Sequence, residues 1–415
     1  EIVGAGDYRL AFLYRDNVEK VTKEDIKRVA EKYFKANNRT VGVFIPTKDE
    51  SRVKPSELTN TQITELVKNY KGREAEKEAK PFEASIKNLK AHFSEGKLAN
   101  GSKYAIIDKE IKGEKVILSL NLPVSNEKDL ANKGAIGQLT ADLLMAGTKN
   151  LTKEQIKDQL DELKASVSFR FSGQTLSVTI NTYKKSLDKT MDIVRQIISE
   201  PTFPQTELVK RVNEYVTYLD ANTNDPQSLA FNEIQRITSN YPKTSLFYTP
   251  SFDELKVDLK KVKQTDLVDF YKNILGAQNG VVSIIGTNDK AAVEKLLNNS
   301  FGKWNSKSKF EKAYPTFTAT KKEDKLINIP DKENAAAVGS INFKMTRESA
   351  DYPAFLMANE ILGSGGFLSA RIPMRLREKE GISYGAGSYI SISNDPKNNV
   401  ASWGYYAFLN PTKRD

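Results

Sequence analysis

The chain has 415 residues, enough for two or three domains, because a single core seldom grows beyond about 250 residues. Its 63 basic residues outnumber 53 acidic ones for a net charge of +10, yet lysines alternate with acids along stretches such as 153–158. That marks a solvated face rather than the one-sided basic stripe that grips nucleic acid. Cysteine is absent, which excludes disulfides, thiolate metal sites and thiol nucleophiles, and no apolar run reaches the ~18 residues of a membrane span.

In chain order, the first element is a helix followed by a strand, over residues 21–45. This pattern recurs near the middle of the chain without a gap. Val21, Asp25, Ala36, Asn38 and Val41 return as Val262, Asp266, Ala277, Asn279 and Val282. The apolar positions Ile26, Val29, Tyr33 and Phe34 return as Leu267, Phe270, Ile274 and Leu275, so each copy reads as an amphipathic helix, a turn at the Asn and a short buried strand. A unit of this size cannot bury its own faces. The second copy closes a long segment and the first has almost nothing before it, so residue 1 is expected to lie inside a domain that begins upstream.

Residues 47–90 are polar and charge-rich, with a short helix expected near 61–70, and read as a linker. The single histidine, His92, sits in an extended lead-in and reads as a surface residue; no G-x-S-x-G nucleophile elbow accompanies it. Strands are expected over 102–107 and 116–122, then helices near 134–146 and 153–164. The alternation of Val167, Phe169 and Phe171 with Leu176, Val178 and Ile180 predicts a half-buried antiparallel hairpin. Helices near 183–199 and 207–219 lead into the second repeated unit, which ends around Trp304. Beyond a Lys-rich connection at 306–325, the strand-then-helix order restarts with a strand at 337–343, a helix at 352–362 and a strand at 384–393.

Two segments of this last region are distinctive. Leu376-Arg377-Glu378-Lys379-Glu380-Gly381-Ile382-Ser383-Tyr384 follows Gly363-Ser364-Gly365-Gly366-Phe367-Leu368-Ser369-Ala370-Arg371. The glycine run lacks the G-K-[ST] of a phosphate loop and reads as a backbone turn. Together with the stretch from Asp16-Asn17-Val18 through Pro46, these segments resemble the C-terminal half of the pitrilysin/insulinase family of zinc peptidases. The resemblance implies an α+β fold of repeated pitrilysin-like domains, each a mostly antiparallel sheet packed with helices. It divides the chain into a C-terminal remnant of an upstream domain (1–48), a linker (49–90), a complete inactive domain (91–305) and the first part of a final domain (306–415).

In that family, two halves close around a chamber, and the zinc motif H-x-x-E-H lies on the N-terminal half. In the matching helix here, Gln138 and Asp142 stand where the histidines would be, and Ala141 replaces the glutamate base. The resemblance therefore implies no metal ligand in this chain, with zinc in the intact enzyme. It implies catalytic roles for Arg377 and Tyr384: a guanidinium can fork around a peptide carbonyl or carboxylate, and a phenol can donate to a developing oxyanion. Gly365 and Gly366 are implied to border the substrate channel.

The function expected on this basis is the C-terminal portion of a zinc endopeptidase. This chain would be inactive alone, act on peptides with an N-terminal catalytic half or subunit, and reside in the periplasm. The alternative is a non-catalytic peptide-binding subunit paired with a separate zinc-bearing chain. An unfinished final domain is also expected to expose apolar faces such as 401–408, so that the chain self-associates, borrowing the 1–46 unit of a neighbour.

Overall fold

A computed structural model describes residues 7–35, 39, 42, 59–72, 78–286, 289–330, 332–365 and 369–413. The chain divides into two compact units, Glu1–Glu76 and Lys77–Asp415. The first holds helices α1 (Arg9–Val18), α2 (Lys23–Tyr33) and α3 (Asn60–Val67). Helix α3 starts at a capping box, with Thr59 and Gln62 satisfying each other's backbone N–H groups. Ile63 and Val67 of α3 are buried, and the Tyr70 hydroxyl donates to Asp16 at 2.5 Å. Within the stretch expected to be a linker, residues 59–70 are thus folded onto α1.

Helix α2 explains one identity of the repeat. Asp25 is its third residue, and its carboxylate accepts the Thr22 backbone N–H at 3.1 Å while the Thr22 hydroxyl accepts the Asp25 N–H at 3.1 Å. In the second copy Asp266 accepts the Lys263 N–H at 2.8 Å in the same way. The conserved spacing is a helix start, which needs a carboxylate to hold an otherwise orphaned N–H. Hydrogen bonds from Arg28 and then Thr22 lower the Asp25 carboxyl to about 2. A depressed carboxylate contributes above its unfolded pKa and is lost as pH falls through the folded one. The first turn of α2 is therefore expected to hold above about pH 4 and to fray as the pH falls toward 2, read as loss of amide protection at residues 24–26. The strand at 41–45 lies outside the described residues apart from Gly42.

The second unit runs, in order, through α4 (Ile86–His92), β1 (Phe93–Lys97), β2 (Lys103–Ile107), β3 (Lys115–Pro123), α5 (Glu127–Leu130), α6 (Gly134–Leu143), α7 (Lys153–Glu162), β4 (Ser166–Ser172), β5 (Thr175–Tyr183), α8 (Leu187–Ser199) and α9 (Gln205–Thr223). There follow α10 (Pro226–Thr238), α11 (Phe252–Lys261), α12 (Gln264–Asn273), β6 (Val281–Ile285), α13 (Lys290–Phe301), β7 (Ala335–Lys344), α14 (Tyr352–Asn359), β8 (Ser383–Ser391) and β9 (Val400–Leu409). His92 ends α4 rather than lying in an extended segment. Its Nδ1 donates to the Asn88 carbonyl at 2.9 Å, and its ring packs edge-on against Phe82.

The first sheet has the order β1-β2-β6-β3-β5-β4, with only β2 and β6 parallel. Alternation along β3 sends Val116, Leu118, Leu120 and Leu122 to the helical side, where they meet Val178 and Ile180 of β5 and Val282 and Ile284 of β6. Burying each such side chain contributes roughly 1.5–3 kcal/mol. The expected hairpin is β4–β5, paired Phe169↔Val178 and Phe171↔Leu176.

The second sheet, order β7-β9-β8, is antiparallel and covered on both faces. On one face lies α10: Phe231 packs at 6.3 Å from the rings of Tyr389 and Tyr406, and the Asn342 amide donates to the Thr238 carbonyl. On the other lies α14, where the buried Asn359 amide oxygen accepts from Ser388 Oγ at 2.8 Å and Trp403 Nε1 at 3.0 Å. This corrects the expectation that 401–408 is an exposed apolar face. That segment is the central strand β9, with Ala401 and Ala407 buried. The position expected as a domain boundary, 305, falls between the two sheets inside one compact unit. The connection after it is pinned along its length, Gln174 donating to the Glu311 carbonyl and Lys325 pairing with Glu233 at 2.6 Å. Among the described residues no helix is long and apolar enough to cross a membrane.

Candidate functional site

Helix α6 carries Gln138, Ala141 and Asp142, the three positions that align with the zinc motif. Gln138 and Asp142, one turn apart, face helix α9, which supplies Arg211 and Tyr215, also one turn apart. The Gln138 amide donates to the Tyr215 hydroxyl at 2.6 Å, and that hydroxyl donates to Asp142 Oδ2 at 2.6 Å. The same oxygen accepts Arg211 Nε at 3.0 Å, and the guanidinium lies 4.5 Å from the centroid of the Tyr215 ring. Burial, followed by the bond to Asp142, raises the Tyr215 hydroxyl above its usual range. The place is therefore occupied by a closed hydrogen-bond network that ties α6 to α9.

These residues do not suit a zinc ion. Gln138 offers an amide, Ala141 offers nothing, and the one carboxylate is committed to a cation and a phenol. Among the described residues there is no group of three or more His, Cys, Asp or Glu arranged to hold a metal.

Arg377 and Tyr384 are brought together. Arg377 lies on a π-helical turn, Met374–Lys379, a rare one-residue widening of a helix that recurs at functional sites. Gly381 ends this turn with φ of +59°, its N–H donating to the Arg377 carbonyl at 3.1 Å. The left-handed position suits glycine and turns the chain sharply into β8. Tyr384 sits at a β-bulge, where pairing with β9 jumps between Ser383 and Gly385. The bulge frees it from the alternating register, leaving its side chain 78% exposed, with the Arg377 guanidinium carbon 4.8 Å from its ring centroid. Arg377 Nε also lies 3.5 Å from Glu378.

Gly365 follows a second π-helical turn, Glu360–Ser364, and its N–H donates to the Glu360 carbonyl at 2.9 Å. A Cβ there would lie 2.5 Å from the same oxygen, and one at Gly363 would lie 2.4 Å from the Ser388 nitrogen. These glycines let the turn lie flat against β8, on which the turn bearing Arg377 also packs. Gly366 lies outside the described residues. The α6–α9 network was missed in the sequence, because Arg211 and Tyr215 stand some seventy residues from their partners.

Comparison with known proteins places the fold. Residues 127–251 match the profile described as insulinase (peptidase family M16), and residues 261–415 match that of the peptidase M16 inactive domain. An uncharacterized zinc protease of Rickettsia felis is 21% identical over 309 residues, 74% of this chain and 72% of that protein. The beta subunit of the mitochondrial-processing peptidase of Blastocladiella emersonii is 21% identical over 58% of this chain, which spans half of that subunit. A peptidase M16 inactive domain from Pseudomonas fluorescens shares the fold with a TM-score of 0.64 at 18% identity, over 77% of this chain and 74% of that one. The periplasmic protease PqqL from Escherichia coli gives 0.63 at 13% identity, over 95% of this chain and 40% of that one. The chain belongs to the pitrilysin/insulinase family of metallopeptidases.

Proposed function

We propose that this chain is the C-terminal portion of a zinc-dependent endopeptidase, forming part of the wall of its peptide chamber and supplying Arg377 and Tyr384 to the reaction. The observation that carries this reading is the guanidinium of Arg377 resting on the exposed ring of Tyr384. The zinc would be held by an N-terminal half or subunit and would supply the activated water. Within this chain, Arg377 holds a substrate carbonyl or carboxylate in its fork of N–H donors, and the Tyr384 hydroxyl donates to the oxygen that becomes negative as the scissile carbonyl is attacked. Gly365 borders the channel, its missing side chain letting the turn before it close on the Glu360 carbonyl. Likeness to a periplasmic protease supports a periplasmic location.

The isolated chain, assayed with an internally quenched peptide, is expected to show no zinc-dependent cleavage, and cleavage is expected to appear on addition of the zinc-bearing half. Robust zinc-dependent hydrolysis by this chain alone rejects the proposal. A second reading, a peptide-binding subunit that pairs with a separate zinc-bearing chain, draws support from the likeness to a named subunit of a processing peptidase. An H-x-x-E-H motif encoded in frame upstream of Glu1 favours the first reading, and a start codon near Glu1 favours the second.

A further inference from the structure

Tyr384 is the extra residue of its bulge: Ser383 pairs with Leu409 of β9 and Gly385 with Phe408, so that two steps along β8 answer one step along β9. In a regular ladder Tyr384 would stand opposite Phe408, and each later residue of β8 would turn to the other face. Those later residues are held where they are. The Ser388 hydroxyl donates to the Asn359 amide oxygen at 2.8 Å on the α14 side, and the Tyr389 ring packs 6.3 Å from Phe231 on the α10 side. Ahead of the bulge, the Gly381 N–H donates to the Arg377 carbonyl at 3.1 Å and the Ile382 N–H to the Leu376 carbonyl at 2.9 Å. The one residue of slack is therefore taken up at 383–385.

The side chain of Ser383 spans this point. It is 4% exposed, and its Oγ lies 2.7 Å from the Phe408 carbonyl oxygen and 2.9 Å from that of Gly385, so one hydroxyl proton is shared between the partner strand and the residue beyond the bulge. A bulge interrupts the ladder and takes regular N–H donors away from main-chain acceptors, and the serine supplies a donor in their place. Gly385 completes the fit, since a Cβ there would lie 3.2 Å from the Phe408 ring. Alanine at 383 would occupy the same space but leave both carbonyls without this donor.

We propose that Ser383 is a positioning residue for the reaction: its hydroxyl fixes the bulge, and the bulge holds the Tyr384 phenol out of the strand's register and beside Arg377, where it can meet the substrate oxygen. This rests on the role proposed above for Tyr384. Ser383 is itself too deeply buried to touch a peptide, so it acts through the tyrosine, and its contribution falls on the chemical step rather than on substrate binding.

Kinetics of the assembled peptidase on a quenched peptide test this through a double-mutant cycle of Ser383→Ala and Tyr384→Phe. Ser383→Ala alone is expected to lower kcat about tenfold to a hundredfold with KM within about twofold, since a misplacement of about 1 Å at a reacting group costs on that order. In the Tyr384→Phe background, where there is no phenol left to place, the same substitution should change kcat by less than about twofold. The far-ultraviolet circular dichroism of each variant should match the parent, and amide exchange in the full chain carrying Ser383→Ala should quicken at 383–385 but not at 388–391. Disappearance of the kcat effect in the Tyr384→Phe background supports the proposal. It is overturned if Ser383→Ala leaves kcat unchanged while Tyr384→Phe lowers it, if Ser383→Ala lowers kcat equally in both backgrounds, or if it unfolds the chain, because the hydroxyl would then serve the fold at large. An unchanged kcat in Tyr384→Phe alone is a different failure: it removes the tyrosine from the reaction, and the inference with it.

Discussion

Tyr384→Phe in the assembled peptidase is expected to lower kcat by about 10²–10³, or roughly 2.7–4 kcal/mol, with little change in KM, because a single donor to a developing oxyanion acts mainly in the transition state. Phenylalanine keeps the ring on which the Arg377 guanidinium rests 4.8 Å from the centroid, and the position is 78% exposed, so the fold should not register the change. Arg377→Lys is the companion variant. It keeps the charge but loses the planar fork, so it should raise KM for peptides anchored by a carbonyl or carboxylate. Steady-state kinetics on a quenched peptide, with the zinc-bearing half in excess, separates the two effects. An unchanged kcat in Tyr384→Phe would remove that residue from the reaction.

Phe270→Ala and Val29→Ala alter equivalent positions of the repeat, and their effects on stability are expected to differ widely. Phe270 is 3% exposed, locked between Phe171 and α6, and its truncation should cost about 3–5 kcal/mol through lost burial and the cavity left behind. Val29 is 42% exposed on α2, and alanine is the better helix former, so the change should lie within about 0.5 kcal/mol of zero. Denaturant unfolding of the full chain measures the first on the larger unit and the second on the smaller. Equal costs at the two sites would mean that α2 is packed as tightly as α12.

The repeat was legible because helix starts and buried faces are written in local spacing. Asp25 and Asp266 hold the same backbone position, and the apolar stripes follow at matching intervals. The β4–β5 hairpin was legible for a similar reason, since alternation has one meaning in a half-buried antiparallel pair. Other features escaped. Helix α10 carries apolar residues at helical spacing, Ala230, Ile234 and Ile237 with Phe231 beside them, but nothing local tells that they cover β7, β8 and β9, which lie far along the chain. In sequence the apolar run 401–408 reads as an exposed face because its cover comes from residues far back in the chain, Phe231 among them.

At the candidate site, the residue types of Arg377 and Tyr384 and their separation by seven positions belong to the sequence, as does the absence of histidine and glutamate from the helix at 138–142. That Arg377 rests on Tyr384, that a bulge releases Tyr384 from its strand, and that Asp142 is held by Arg211 and Tyr215 are decided by tertiary structure. The physical reason is range. Caps, turns and periodic burial depend on neighbours within a turn or two of helix or strand. A π turn, a bulge and a network between two helices each give up regular local hydrogen bonding or pair distant side chains, and only the packing of the whole unit makes them the more favourable choice.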